Sequence, residues 1–280
     1  MEKLLQFIGR IDSLPMKRRK KIIWKLKKMF CAEDKDFEID FYGLKYRGNT
    51  GNQIDKYVFY FGAYEKGLLN FIEKTLNKST SKVFVDIGAN IGHHSIFASR
   101  VANQVFSFEP YESVRKEMEN KISMNNIQNI VVVPFALGEE DQELTYYEPE
   151  NKNTGTGSFV ENYSTVNKNT GLKLTVKNGE RAFEELGIKN ISLIKVDTEG
   201  FEPNILSGLL NKLEADLPTI IMEYSHTSKE SFKSRPALVN FFKNNYDLYI
   251  FSNPNELNYK LLPWNFDTLG NIVLVPKAIH

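Results

Sequence analysis

The chain has 280 residues, of which 41% are hydrophobic and 25% charged, a balance typical of a globular protein with one large domain or one domain and an appendage. The single cysteine, Cys31, excludes an internal disulfide and is compatible with a reducing compartment. Because no apolar run approaches the roughly 18 residues of a membrane span and the N-terminus lacks signal-peptide features, we expect a cytoplasmic protein.

The net charge of +1 conceals a strongly basic N-terminal segment. Residues 1–31 contain ten Lys and Arg side chains against two acidic ones. An amphipathic pattern predicts helix over residues 1–30, and Pro15 leaves one broken helix and two separate helices equally compatible with it. The basic run over residues 17–28 is typical of a solvated helix face, but it also permits peripheral contact with an anionic membrane at its inner face. Nucleic-acid binding is the least favoured of these three interpretations.

The remaining chain begins with a predicted β-hairpin over residues 37–48 and an amphipathic helix over 64–76. From residue 83 onward, strands alternate with helices. This alternation predicts a mostly parallel sheet covered by helices on both faces, with the last two strands forming an antiparallel hairpin at one edge. The predicted strands are 83–87, 104–109, 130–134, 144–147, 172–176, 191–197, 219–224, 248–252 and 271–275. The helices among them are 111–124, 179–186, 203–214 and 236–244.

We therefore divide the chain into a basic helical arm (1–35), a hairpin and helix leading into the core (36–80), and an α/β domain (81–280). One long segment within that domain, residues 148–171, is rich in Asn, Lys, Thr, Gly and Ser. Segments of this length inside a compact domain usually bind or cover a ligand. We expect a substrate-binding or lid loop there, with a functionless insertion as the alternative.

The first strand of the domain is joined to the following helix by a turn with two glycines, Gly88 and Gly92. Glycine in such a turn lets the backbone approach a bound nucleotide, because no Cβ stands in the way. The Gly-x-x-x-Gly spacing differs from the Gly-x-Gly-x-x-Gly of dinucleotide-binding proteins. Asp86 precedes the first glycine, where a carboxylate suits a ligand with a cationic amine better than one with phosphates. A tight turn without any ligand remains the alternative.

Further candidate residues lie at the ends of the other strands, where open α/β sheets bind their ligands. Glu109 follows Gly88 by 21 residues and is placed to accept hydrogen bonds from both hydroxyls of a ribose. Small residues over 135–138 leave room for a flat adenine ring. The fourth and fifth strands end in charged residues, which need a functional reason because unpaired buried charge is costly. These residues are Lys195, Asp197, Glu199, Glu202, Glu223 and His226.

Four of these motifs together resemble the FkbM family of S-adenosylmethionine-dependent methyltransferases. They are Val-Asp-Ile-Gly-Ala-Asn-Ile-Gly (85–92), Phe-Glu-Pro (108–110), Ala-Leu-Gly (136–138) and Ile-Lys-Val-Asp-Thr-Glu-Gly-Phe-Glu (194–202). The resemblance covers roughly residues 64–224 and the closing strand. It implies a class I Rossmann-like methyltransferase fold with a seven-stranded sheet, and a hydroxyl acceptor on a sugar of a surface glycan or on a secondary metabolite.

The resemblance also implies roles for individual residues. The methionyl part of S-adenosylmethionine would be held by Asp86, Gly88, Asn90 and Gly92, the ribose by Glu109, and the adenine by Ala136 and Leu137. The segment beside the transferred methyl group would contain Asp197, Glu199 and Glu202.

An alcohol is a poor nucleophile at neutral pH, so its methylation needs a base or a metal ion. Our first hypothesis is that Asp197 or Glu202 accepts the hydroxyl proton, while Glu199 and Lys195 hold that segment in place. No resident metal is assigned.

Four alternatives stay open. His226, oriented by Glu223, is a second possible base, and a divalent cation such as Mg²⁺ held by Asp197 and Glu223 is a third solution. At the level of the whole protein, the alternatives are a nicotinamide-dependent oxidoreductase on a related sheet and a non-catalytic membrane or RNA adaptor that uses the basic arm.

Overall fold

The computed structural model describes residues 2–30, 33–149, 157–161 and 166–277. Pro15 separates two helices, as one of the two predicted alternatives had it. The helices within the described residues are α1 (Glu2–Gly9), α2 (Met16–Met29), α3 (Gln53–Phe61), α4 (Lys66–Lys78), α5 (His93–Ala98), α6 (Glu112–Met124), α7 (Gly179–Glu185), α8 (Glu202–Ser207), α9 (Leu210–Asp216), α10 (His226–Lys233) and α11 (Pro236–Asn245). Among them, none combines the length and apolar character that crossing a bilayer requires.

Three sheets contain the strands. The strands are β1 (Asp36–Phe41), β2 (Leu44–Asn49), β3 (Val83–Ile87), β4 (Gln104–Phe108), β5 (Ile130–Val133), β6 (Ala136–Gly138), β7 (Gln142–Pro149), β8 (Val166–Asn178), β9 (Ile191–Val196), β10 (Thr219–Tyr224), β11 (Tyr246–Phe251), β12 (Leu261–Pro263) and β13 (Gly270–Pro276). The predicted N-terminal hairpin is confirmed as the antiparallel pair β1–β2.

The central sheet has the strand order β12-β11-β13-β10-β9-β3-β4-β5. Strands β10, β9, β3, β4 and β5 are parallel, and β13 runs antiparallel to both β10 and β11. This mostly parallel α/β sheet has the seven strands that the resemblance implied, with the short strand β12 added at one edge. The chain leaves β3 toward β4 and β5 on one side and reaches β9 and β10 on the other. The strand order therefore reverses between β3 and β9, which is where such sheets bind ligands.

The segment predicted as a long loop is partly β-structure. Strand β7 extends to Pro149 and β8 already begins at Val166, so the predicted loop over 148–171 is too long at both ends. Together with β6 these strands form a separate three-stranded sheet. Residues 150–156 and 162–165 lie outside the described residues. Ser158 forms a β-bridge with Tyr147, which returns the chain to this sheet.

The N-terminal part packs on the α/β domain through its own apolar cluster. Leu5, Ile23, Tyr46 and Phe61 are buried in this cluster, which also includes Phe97 of α5. Helix α3 was not predicted from the sequence, and it lies at the centre of this apolar cluster. We call residues 2–30 and 33–65 the N-terminal module. Its packing against α5 places it beside the turn that follows β3.

Candidate active site

A cavity lies at the carboxyl ends of β3, β4, β9 and β10, at the reversal of strand order. Most of the residues predicted from sequence line it: Gly88, Asn90, Glu109, Ala136, Leu137, Lys195, Asp197, Glu199 and Glu223. Four predicted residues, Asp86, Gly92, Glu202 and His226, are not among the lining residues.

Position 88 requires glycine because the end of strand β9 approaches its backbone closely. Its φ is +78°, and a Cβ added to it would lie 2.0 Å from the carbonyl oxygen of Asp197. The amide N–H groups of Gly88 and Ala89 both donate to the carbonyl of Phe108 at 3.0 Å, and that of Asp197 donates to Ile87 at 3.0 Å. The glycine turn, the end of β4 and the end of β9 therefore form one backbone surface along the cavity.

Gly92 has a different reason to be glycine. Its φ is +79°, and a Cβ there would lie 2.5 Å from the Met118 side chain of α6. This residue therefore lets α5 pack against α6, and its predicted contact with the methionyl group stays a prediction.

Glu109 is buried, yet its carboxylate lines the cavity. Its two oxygens accept hydrogen bonds from the backbone N–H groups of Asn90 and Tyr111, each at 2.9 Å. Burial raises the pKa of Glu109 to about 7, although these two N–H donors favour the charged form. A carboxylate fixed in this way keeps lone pairs for further donors, which fits the diol of a ribose.

An apolar wall adjoins this carboxylate. Ala136 and Leu137 line it as predicted, together with Phe108, Val114 and Ile205. A flat apolar slot next to a diol-binding carboxylate and a glycine turn fits the adenosine part of S-adenosylmethionine.

Asp86 faces the protein interior instead of the cavity. It is fully buried and accepts a hydrogen bond from Ser95 Oγ at 2.6 Å, while its other oxygen lies 3.8 Å from Lys195 Nζ. The buried lysine balances this carboxylate, and the expected contact of Asp86 with the cofactor's amine stays a prediction. Burial alone would lower the pKa of Lys195, but the carboxylates of Asp197 and Asp86 outweigh burial and raise it.

Three carboxylates meet on the opposite side of the cavity. Asp197, Glu199 and Glu223 each bring one carboxylate oxygen to within 4.8 Å of the others, a spacing that also suits a divalent cation. Asp197 is paired with Lys195 Nζ at 3.0 Å. Burial raises the pKa of Glu223 to about 9, assisted by the neighbouring charges of Asp197 and Glu199, so Glu223 carries a proton at neutral pH.

Glu202 serves the turn after β9. It is fully buried and accepts hydrogen bonds from the backbone N–H groups of Thr198 and Gly200 and from Ser228 Oγ. Its carboxylate does not line the cavity, and we therefore prefer Asp197 as the base.

His226 is the first residue of α10 and is exposed to solvent. It does not line the cavity, and its role as a base oriented by Glu223 stays a prediction that we do not carry further.

Several side chains from outside the predicted set also line the cavity, among them His94 and Tyr64. His94 follows the glycine turn directly, and its Nε2 lies 3.2 Å from Glu65 Oε2. Tyr64 belongs to the N-terminal module, as do Gln53 and Ile54 of α3, which also line the cavity. The adjacency of His94 to the glycine turn was visible in the sequence. The others had no sequence signal, because a long-range contact brings them to the site.

Residues 86–260 match the model of the methyltransferase FkbM domain. Methyltransferase 1 of Beauveria bassiana is 28% identical over 172 residues, which are 55% of this chain and 69% of that protein. Hexuronic acid methyltransferase AglP of Haloferax volcanii is 26% identical over 136 residues, 48% of this chain and 52% of that protein. The crystal structure of methyltransferase FkbM from Methylobacillus flagellatus KT matches 70% of this chain and 44% of its own, with 16% identity and a TM-score of 0.46. The chain thus spans only about half to two thirds of the relatives it matches.

Proposed function

Because the chain belongs to the FkbM family of methyltransferases, we propose that it transfers the methyl group of S-adenosylmethionine to a hydroxyl group, on a sugar of a surface glycan or on a secondary metabolite. The observation that carries this proposal is the pairing of Asp197 with Lys195 at the cavity, next to the Gly88 turn. The pair supplies a fixed carboxylate beside the adenosine-binding half of the cavity.

Asp197 is our proposed base. The acceptor oxygen forms a bond to the methyl carbon as the carbon–sulfur bond breaks, and Asp197 takes the hydroxyl proton. Lys195 holds the Asp197 carboxylate in one orientation. The carboxylate is thereby positioned to accept the proton of a bound hydroxyl group rather than that of a water molecule. Glu223 retains its own proton at neutral pH and can donate a hydrogen bond to the acceptor. His94, next to Glu65, is the second candidate base, since its ring also lines the cavity.

The charges at the cavity favour an acceptor without anionic groups. Among the described lining residues Lys195 is the only lysine and arginine is absent, and two carboxylates, Asp86 and Asp197, already balance that lysine. An anionic acceptor would be desolvated near Asp197 and Glu199 without a free cation to compensate it. The O–H groups of a neutral sugar or metabolite would instead donate hydrogen bonds to these carboxylates.

A metal-assisted reaction is the second mechanism, and it rests on the spacing of the carboxylates of Asp197, Glu199 and Glu223. These three residues would hold the divalent cation, which would supply Lewis-acid chemistry at the acceptor hydroxyl. Dialysis against EDTA distinguishes the two mechanisms, because unchanged activity excludes the cation.

The decisive test of function has two parts. Calorimetric titration with S-adenosylhomocysteine and with NAD separates the proposal from an oxidoreductase, and absence of S-adenosylhomocysteine binding would favour the adaptor alternative. Mass spectrometry of glycans and metabolites from a deletion strain should then show a product that lacks one methyl group. An unchanged methylation pattern would contradict the proposal. A cytoplasmic location remains a prediction, which cell fractionation tests.

A further inference from the structure

The N-terminal arm exposes an unusual share of the protein's large apolar side chains. Ten large hydrophobic side chains are exposed in the described part of the chain, and five of them belong to residues 2–30. They are Leu4 (56% exposed), Phe7 (67%), Ile22 (39%), Met29 (61%) and Phe30 (53%). Single exposed apolar side chains are normal, but their concentration on one short arm marks an interaction site.

On α2 these apolar side chains share a face with cations. Arg18, Ile22, Lys25 and Met29 follow one another at four-, three- and four-residue steps, so they project from the same side of the helix. All four are exposed. The opposite side of α2 is buried through Met16, Arg19 and Ile23. We call the surface formed by Arg18, Lys21, Ile22, Lys25 and Met29 of α2 the basic–apolar face; Leu4 and Phe7 of the preceding helix α1 are exposed as well.

The cations of this face differ in their ion pairing from Arg19 and Lys27 of the same helix. Arg19 donates to Asp12 at 2.9 Å and to the Gly9 carbonyl at 2.7 Å, and Lys27 pairs with Asp34 at 2.7 Å. These two serve the fold. Within the described residues, Arg18, Lys21 and Lys25 form no salt bridge.

We propose that the basic–apolar face binds the surface of an anionic lipid bilayer. Cations on such a helix attract anionic headgroups, and the apolar side chains beside them enter the boundary between headgroups and acyl chains. A single-stranded RNA would use the cations but gives no reason for exposed Leu4, Phe7 and Met29. A second copy of this chain would place like charges against each other at the face.

The N-terminal module links this face to the cavity. Lys20 of α2 places its Nζ 4.7 Å from the centroid of the Tyr57 ring, and that ring lies 5.3 Å from the ring of Tyr64, which lines the cavity. Two aromatic rings thus connect the membrane-binding helix to the acceptor side of the cavity. Binding to a bilayer would bring that side close to an acceptor held on a lipid carrier. The bilayer proposal itself does not depend on the proposed methyl transfer.

The test is co-sedimentation of the full chain with vesicles of phosphatidylcholine alone and of phosphatidylcholine mixed with phosphatidylglycerol. We expect binding only to the anionic vesicles, weaker at about 0.5 M salt than at about 0.05 M, since salt screens the charges. Two lysines four residues apart on α2 are reversed in the double variant Lys21→Glu, Lys25→Glu. Its matched control is Lys74→Glu, Lys78→Glu, which reverses two exposed lysines with the same spacing on α4.

We expect the α2 variant to lose at least about tenfold in vesicle binding and the α4 variant to bind as the parent does. The double variant Ile22→Ser, Met29→Ser should also bind more weakly, whereas Leu257→Ser, Leu262→Ser, two leucines exposed elsewhere, should not. Titration with S-adenosylhomocysteine checks that every variant is folded. Equal vesicle binding by the α2 and α4 variants overturns the proposal. So does binding of an RNA oligonucleotide, or concentration-dependent dimerisation, through this face without vesicle binding.

Discussion

Gly88 and Asp197, 109 positions apart in the chain, meet so closely that a Cβ on Gly88 would lie 2.0 Å from the Asp197 carbonyl oxygen. The first motif of the sequence and the fourth are therefore two halves of one backbone surface. A side chain added at Gly88 must therefore displace the backbone at Asp197, and a shift of that backbone must displace the glycine turn.

Gly88→Ala should disrupt the cofactor-binding half of the cavity. The positive φ alone costs a non-glycine residue about 1–2 kcal/mol, and the collision with the Asp197 backbone adds to it. We expect the affinity for S-adenosylhomocysteine, measured by calorimetry, to fall by more than about tenfold. Gly187→Ala is the control, because Gly187 has a φ of +67° and no atom within 4 Å of an added Cβ. Similar losses in both variants would show that backbone strain alone explains the effect.

Glu109 should make cofactor binding dependent on pH near neutrality. Its pKa is raised to about 7, so the carboxyl takes up a proton as the pH falls below that value. The neutral form accepts fewer hydrogen bonds, and we expect affinity for S-adenosylhomocysteine to decrease from about pH 8 to about pH 6. Glu109→Gln should bind weakly throughout and lose this dependence, because its amide N–H₂ faces backbone donors. An equal pH slope in the variant would assign the titration to another group.

Glu223 should make the folded state less stable as the pH rises. Its pKa, raised to about 9 in the folded state, means that its contribution to stability is full below about pH 4.5 and is lost as the pH rises toward 9. Glu223→Gln cannot ionise, so its free energy of unfolding should exceed that of the parent at about pH 8.5 by more than about 1 kcal/mol, and by less at about pH 5.5. Urea denaturation of both proteins at the two pH values, in EDTA, measures the difference. A gap that does not grow with pH would contradict the raised pKa.

Glu202→Gln should lower the free energy of unfolding rather than the rate of catalysis. Its carboxylate accepts hydrogen bonds from two backbone N–H groups and from the hydroxyls of Thr198 and Ser228, and an amide in its place leaves a buried donor unpaired. We expect a loss of about 1–3 kcal/mol in the free energy of unfolding. His226→Ala, at an exposed position, should stay within about 0.5 kcal/mol of the parent. A stable Glu202→Gln protein that binds cofactor but has lost activity would restore Glu202 as a candidate base.

Asp197→Asn should reduce turnover while it preserves cofactor binding. A general base contributes about 10²-fold or more, and the amide cannot take the hydroxyl proton. We expect the complemented deletion strain to accumulate little methylated product by mass spectrometry, with affinity for S-adenosylhomocysteine within a few-fold of the parent. Asp247→Asn, a charge-matched change at an exposed position on β11, is the control. Near-parent methylation by Asp197→Asn, together with loss in His94→Gln, would transfer the base role to His94.

The fold was largely predictable because it depends on local patterns. The apolar run of β3, the glycines after it and the alternation of strands with helices are properties of neighbouring residues, and so is the position of Glu109 at a strand end. Helix α3 was missed although Ile54, Tyr57, Val58 and Phe61 follow helical spacing, because a run of nine residues is short for this signal. The separate sheet β6-β8-β7 was missed because its strand pairing is a long-range choice.

What the sequence by itself determined is the half of the cavity that we assign to the cofactor, namely a glycine turn, the carboxylate of Glu109 and small apolar residues in a set order along the chain. Only the tertiary structure decided which charged residues face the cavity. Asp86 lies opposite Lys195 in the parallel pairing of β3 with β9, so the two charges meet inside the sheet. Glu202 turns inward to the loop that it stabilises, whereas Tyr64 reaches the cavity through packing of the N-terminal module. Strand register and long-range packing set these directions, and neither is encoded in the spacing of residues along the chain.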